Sequence, residues 1–232
     1  MMTDHDARSG RRATGSERGG EAVAPPKLPR QFAPAPAAAT SLQEGDVVER
    51  ATLEGLDLSG QDLHGAGFTQ ILAKRLLLRG GRWRGPSFHD TRFDRCDLAQ
   101  AVVERAHAQR VELVGCRLTG ARLTEGRWQD LMAQDCQGQY VTFAGSLFRR
   151  ARFERCHFRD ASFLDADLTG AIFRDCDLSG VDMQGATLVD VDLRGCTIEG
   201  LRVGLKELRG LKVDLTQAAT LLRGLGAQVL LD

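Results

Sequence analysis

Residues 151–180 read ARFER CHFRD ASFLD ADLTG AIFRD CDLSG when the chain is broken at every fifth position. Each block carries a large apolar residue at its third place, here Phe153, Phe158, Phe163, Leu168, Phe173 and Leu178, and a small Ala or Cys two places earlier. The residue between them is most often polar. Alternate side chains of an extended chain face opposite ways, so apolar-polar-apolar is a three-residue strand with two side chains on one side. The remaining two residues must turn the chain. Glycine ends many blocks, among them Gly55, Gly60, Gly65, Gly115, Gly120, Gly170 and Gly180, which suits a corner that needs positive φ.

The same register extends outward in both directions. From Ala51 to Leu205 thirty-one consecutive blocks keep phase without an insertion, through central residues such as Leu53, Leu58, Leu63 and Phe68 at one end and Leu193, Ile198 and Val203 at the other. A unit this short cannot bury its own apolar face. Its stability has to come from stacking one turn of chain on the next.

The six cysteines, Cys96, Cys116, Cys136, Cys156, Cys176 and Cys196, fall twenty residues apart, which is four blocks. If like residues stack, one coil has four sides, and about eight coils at ~4.8 Å make a rod of roughly 37 Å. Each cysteine lies two places before a central residue and therefore points inward. Thiols ~4.8 Å apart on parallel Cα–Cβ vectors cannot wrap a tetrahedral ion, and their Cβ separation exceeds the usual disulfide range of about 3.5–4.5 Å. The column reads as core filling, with no metal or cofactor implied. Sizes compensate along other columns: Leu118, Gly138, Phe158; Leu113, Ala133, Phe153; Phe88, Ala108, Trp128. Because Ala133 and Gly138 are successive centres, local looseness is expected around residues 131–140.

Composition changes near residue 45. Pro25, Pro26, Pro29, Pro34 and Pro36, five of the six prolines, lie upstream among Gly, Ala, Arg and Ser, so residues 1–45 are expected to be a disordered arm. Within it, PPKLPR at 25–30 suits polyproline II and could serve as a ligand for an aromatic groove, although an extended linker is the simpler expectation. Residues 46–213 form the repeat region. The last segment, 214–232, leaves the five-residue rhythm: Asp214 and Gln217 make a capping box, a short helix is expected over about 215–225, and a strand after it. Leu215, Ala218, Ala219 and Leu222 share one helical face that would close the rod. Leu221, Leu222, Leu225, Val229, Leu230 and Leu231 exceed what one cap needs, so they are expected to form a homodimer seam.

The blocks ADLTG at 166–170, CDLSG at 176–180, LDLSG at 56–60 and VDLRG at 191–195 resemble the pentapeptide-repeat family, whose pattern is Ala-(Asp/Asn)-Leu-x-x. That resemblance covers about two thirds of the chain. It implies an all-β solenoid, a right-handed quadrilateral parallel β-helix, here with a short C-terminal α-helix cap. The terminal segment, through Asp214, Gln217, Ala218, Leu221, Leu222, Leu225, Gly226 and Val229, is similar to the dimerisation module of the quinolone-resistance members that bind DNA gyrase. In those proteins a dimeric acidic rod is thought to mimic duplex DNA. The resemblance therefore implies a protein partner, with gyrase or a related topoisomerase as one alternative.

Charge bears on that alternative. The formal net charge is +0, against the acidity of the gyrase-binding members, and it gives no support to a nucleic-acid binder held by bulk positive charge. Between 160 and 199, however, Asp160, Asp165, Asp167, Asp175, Asp177, Asp182, Asp190, Asp192 and Glu199 oppose only Arg174 and Arg194, giving a candidate acidic surface. Upstream, Lys74, Arg75, Arg79, Arg82 and Arg84 form a basic run, and Arg149, Arg150, Arg152, Arg155 and Arg159 surround only Glu154. Aromatic residues are nearly all central and hence internal, so direct nucleic-acid binding is not expected. His64, His89, His107 and His157 fall on different columns, and no nucleophile–base pair, phosphate loop or paired carboxylate cleft can be assembled. The sequence is read as non-catalytic. No apolar run approaches the eighteen residues of a membrane span, no h-region follows Arg11-Arg12, and the expected compartment is cytoplasmic.

Overall fold

The computed structural model describes residues 22–34 and 42–230. Its backbone is a parallel β-solenoid whose successive coils pair residues twenty positions apart. One side climbs through Val47, Gly67, Ser87, His107, Arg127 and Leu147. A second climbs through Thr52, Leu72, Arg92, Glu112, Met132, Arg152 and Ile172. The third side, Asp57 to Thr197, is made of single bridges, and the fourth begins as strands at Asp62, Arg82, Val102 and Arg122 before continuing as bridges to Arg202. These four ladders are the four sides read from the cysteine spacing. About six turns carry strands on the first side, and single bridges at Asp167 and Thr187 extend it to the expected height.

The corners depart from the glycine expectation. Every fifth residue from Gly45 to Gly200 has positive φ, and 18 of all such corner residues are not glycine, with φ between 49° and 60°. An L-residue in this region gives up about 1–2 kcal/mol. The conformation persists because the neighbouring coils hold each corner: Arg155 N–H donates to the Arg174 carbonyl at 2.8 Å, and Asp160 N–H to that of Ser179 at 2.9 Å. Many corners also close a turn, whether or not they are glycine: Val181 N–H donates to the Leu178 carbonyl at 3.1 Å around Gly180 at φ 68°, and Ala161 N–H to that of Phe158 at 2.9 Å around Asp160.

Inside, alternate blocks stack ring on ring. Phe153 and Phe173 lie 4.6 Å apart at 15°, Phe143 and Phe163 5.2 Å apart at 14°. Phe158 meets Phe153 and Phe163 edge-on. The looseness expected at 131–140 is absent, because the Phe158 ring occupies the space Gly138 vacates: a Cβ added at Gly138 would lie 2.5 Å from it. The void falls lower. An apolar cavity of about 30 Å³ lies among Trp83, Phe93, Ala101, Val103, Leu113 and Trp128.

Residues 22–34, which lie inside the expected disordered arm, instead run extended down the outside of the rod. Ala24 N–H donates to Asp130, Lys27 N–H to Asp90, and the Lys27 carbonyl accepts from Gln70 Nε2 at 3.1 Å. The strand Ala33–Pro34 then pairs in parallel with Ala51 and Thr52, adding a rung below the first coil. Composition alone misjudged this segment because its order comes from partners far away in sequence. Residues 42–45, also expected to be disordered, are placed on the rod, with Leu42 buried and Gly45 N–H donating to the His64 carbonyl at 2.8 Å; the rest of the predicted arm, 1–21 and 35–41, lies outside the described residues.

At the other end α1, Leu215–Gly224, begins with the expected capping box. Asp214 accepts from Gln217 N–H at 2.9 Å, and Gln217 Oε1 accepts from Asp214 N–H at 3.0 Å. The face turned to the rod differs from the expected one. Gln217 and Leu221 are buried, while Leu215 is 88% exposed and Leu222 half so. Gln217 Nε2 donates to the carbonyls of Leu193 and Cys196, each at 2.7 Å, so an amide caps two carbonyl oxygens of the open coil. The strand expected after the helix is not formed among the described residues 225–230.

Candidate interaction surfaces

The cysteine column is internal along its whole length, all six thiols being free and buried. Each of Cys116, Cys136, Cys156 and Cys176 donates weakly to the carbonyl 23 residues earlier, that of the central residue one coil below, at 3.4–3.5 Å. Thr91 and Ser146 take the same inward place and make the same bond, to the carbonyls of Phe68 and Leu123. A small donor is thus accommodated where it replaces the more common alanine. Hydrogen bonding between neighbouring thiols, reinforced by burial, pushes Cys116 and Cys156 well above the usual thiol range. No group of residues able to hold a metal is formed among the described residues.

Stacking rearranges the charges. Residues that form basic runs in sequence meet acids from adjoining coils: Arg75 pairs with Glu54, Arg79 with Asp97 and Arg84 with Glu104. Likewise Arg150 pairs with Asp130, Arg155 with Asp135 and Arg159 with Asp177. The expected basic patches are therefore largely neutralised in place. Most of these pairs are exposed and contribute little to stability individually.

The acidic residues split into two groups. Asp167, Asp177, Asp182 and Asp192 sit at second block positions and accept from the backbone N–H two residues on, at 3.0–3.1 Å, so they fasten the following turn. Asp182 also pairs with Arg202 at 3.1 Å. Asp192 is buried between Arg174 and Arg194, each at 2.8 Å. Burial pushes its carboxyl up, but the two arginine bonds outweigh this and hold it well below the usual carboxylate range. Asp160, Asp165, Asp175 and Asp190 stand exposed at corners, and Lys212 reaches Asp190 at 2.9 Å. Four corners of a rod face four directions, so these carboxylates form no single acidic face.

Two surface grooves were not legible in sequence. One, of about 310 Å³, lies across four coils and is lined by His89, His107, Gln109, Arg127, Gln129 and Arg149. His89 and His107 belong to different columns but to the same side, and only the side assignment shows them to be neighbours. The second, of about 290 Å³, separates α1 from the last coil, between Leu201, Arg202 and Val203 and the helical Leu221 with Leu225 just past the helix end.

Of the residues expected at a dimer seam, Leu221 is spent on the rod, only 8% exposed and part of the core. Leu222, Leu225 and Leu230 are exposed, Val229 is half-buried, and Leu231 lies outside the described residues. With Leu215 they give the tip of the rod an apolar surface. No helix of the described residues is long and apolar enough to cross a membrane.

A family model described as pentapeptide repeat region matches residues 86–163 and 146–219. No curated protein matches the chain. Among solved structures, HetL, a pentapeptide repeat protein involved in heterocyst differentiation regulation from the cyanobacterium Nostoc sp. strain PCC 7120, is 19% identical. The match covers 73% of this chain and 87% of HetL, at a TM-score of 0.39. QnrB1, a plasmid-mediated fluoroquinolone resistance protein, in a trypsin-treated variant is 20% identical over 81% of this chain and 96% of its own, at 0.37. A pentapeptide repeat protein from the Arabidopsis thaliana thylakoid lumen is 28% identical over 42% of this chain and 58% of its own, at 0.28.

Proposed function

This chain belongs to the pentapeptide repeat family, and we propose that it is a non-catalytic, rod-shaped protein-interaction module that pairs with a second copy through its C-terminal tip. The observation that carries the pairing is the exposed leucine surface of Leu215, Leu222, Leu225 and Leu230, gathered on and beyond one ten-residue helix at the end of the rod. An apolar tip on an otherwise charged surface gains free energy when covered, and a two-fold arrangement covers both copies with the same residues. The filled interior supports a binding role over a catalytic one, since the apolar cavity beside Trp83 and Trp128 is too small and too apolar for substrate chemistry. Sedimentation of the full chain at micromolar concentration tests the pairing: a dimer that Leu222→Glu/Leu225→Glu converts to monomer is expected, and a wild-type monomer overturns it.

A second reading is favoured by the exposed carboxylates at Asp160, Asp165 and Asp175, which are spread around three corners of the coils below the last one. In a tail-to-tail dimer they would lie on both sides of the seam and offer a DNA-like field to DNA gyrase or a related topoisomerase. Gyrase supercoiling with and without a quinolone decides between a general interaction rod and this use. Protection that disappears when the three aspartates become Asn supports it; no effect at tens of micromolar protein rules it out.

A further inference from the structure

The proline-rich segment finds its partner on the rod itself, along the corner that joins the first and second sides. There the corner residues alternate as Asp90, Arg110, Asp130 and Arg150, one per coil. Arg110 grips Asp90 through Nε at 2.5 Å and a terminal nitrogen at 2.7 Å, and Arg150 grips Asp130 in the same two-pronged way at 2.6 and 2.9 Å. Both aspartates are buried, 7% and 3% exposed, and each accepts one more hydrogen bond from the arm: Lys27 N–H to Asp90 at 2.7 Å and Ala24 N–H to Asp130 at 3.2 Å.

The spacing matches the geometry of a proline-rich chain. Asp90 and Asp130 are two coils apart, about 9.6 Å at ~4.8 Å per coil. Three residues of polyproline II span about 9.3 Å and return to the same face, because that helix has three residues per turn. Pro25 and Pro26, between the two donors, have fixed φ and no N–H, so no backbone donor is left unpaired between them. Ala24 and Leu28 precede prolines and are confined to extended conformations. The arm is thus pre-shaped, and the two carboxylates are pre-oriented by their arginines.

We infer that this corner is a binding site for extended, proline-rich peptides, which it recognises through backbone N–H groups at positions i and i+3 separated by two prolines, and that residues 24–27 occupy it in cis. Tethering places the arm at millimolar effective concentration, so an outside peptide competes only when the arm is released. The recognition is of backbone donors by carboxylates and uses no aromatic groove.

The test keeps the full chain. Ala24→Pro/Lys27→Pro removes both donors from the arm and leaves the rod unaltered, opening the site. A labelled peptide of residues 22–34 is titrated against this variant and against wild type by fluorescence anisotropy, beside a control peptide with proline at both donor positions. The native peptide is expected to bind the opened variant about tenfold or more tighter than the control does, from two hydrogen bonds to charged acceptors. Binding to wild type should be weaker, and Asp90→Asn/Asp130→Asn on the opened background should erase the difference between peptides. Equal behaviour of the two peptides on the opened variant overturns the inference, including no binding by either, and so does equal binding to wild type. If the double Asn variant fails to fold, the peptide pair still decides.

Discussion

The coils around Phe143–Phe173 and those around Trp83–Trp128 share one backbone path but fill it differently. In the upper set rings stack along two columns, Phe143 on Phe163 and Phe153 on Phe173, while Phe148 and Phe158 meet them edge-on, so that Phe153 contacts Phe148, Phe158, Phe163 and Phe173. In the lower set the rings stand on three sides of the tube, Trp83 on one, Phe88 and Trp128 on the next and Phe93 on a third, with the smaller Val103 stacked on Trp83, and a void of about 30 Å³ is left. The backbone tolerates both because its hydrogen bonds run from coil to coil, irrespective of what fills the centre. Filling decides stability coil by coil, as it does in other stacked-repeat architectures.

The contrast can be broken most strongly at its best-packed point. Phe153→Ala should cost about 3–5 kcal/mol, whereas Phe93→Ala, beside the existing void, should fall at or below the lower end of that range. Urea denaturation of the two variants measures the gap, and equal losses would mean the two regions are packed alike. Next in size is Gly138→Ala, expected to cost about 1–3 kcal/mol because the new Cβ meets the Phe158 ring and not open space.

Acid probes the upper coils differently. The Asp192 carboxyl is held below its unfolded value, so its contribution is present above about pH 4 and fades as pH falls below that. Asp192→Asn should flatten this part of the stability profile, by about 1–2 kcal/mol between pH 6 and pH 3. An unchanged slope would place the acid sensitivity elsewhere. The smallest effect is the one that would even out the two regions: Val103→Ile adds one methylene beside the lower cavity and should gain up to about 0.8 kcal/mol. A loss would show that the void is not accessible from that side chain.

The period of five and the twenty-residue cysteine spacing were enough to derive a four-sided solenoid, its inward columns and its helical cap, because each of these follows from local alternation repeated in register. The capping face was only partly legible. Helical spacing grouped Leu215 with Leu222, but the open coil presents carbonyls, and an amide donor, Gln217, satisfies them better than leucine can. Corner glycines were informative without being necessary, since ladder bonds from the next coil hold Arg, Asp and Glu at positive φ as well.

What lies on the outside was decided by the tertiary structure. Residues twenty apart become neighbours about 4.8 Å away, so a run of arginines in sequence is dispersed among the acids of adjoining coils, and His89 and His107 come to share a groove. The same distance rule gives the proline-rich arm its place: nothing local in PPKLPR predicts order, yet two carboxylates forty residues apart present acceptors at the pitch its backbone already has. Pattern along the chain sets the path of the rod, because backbone pairing is periodic. Which surfaces meet, and which stay open at the tip, depends on side chains brought together only once the coils are stacked.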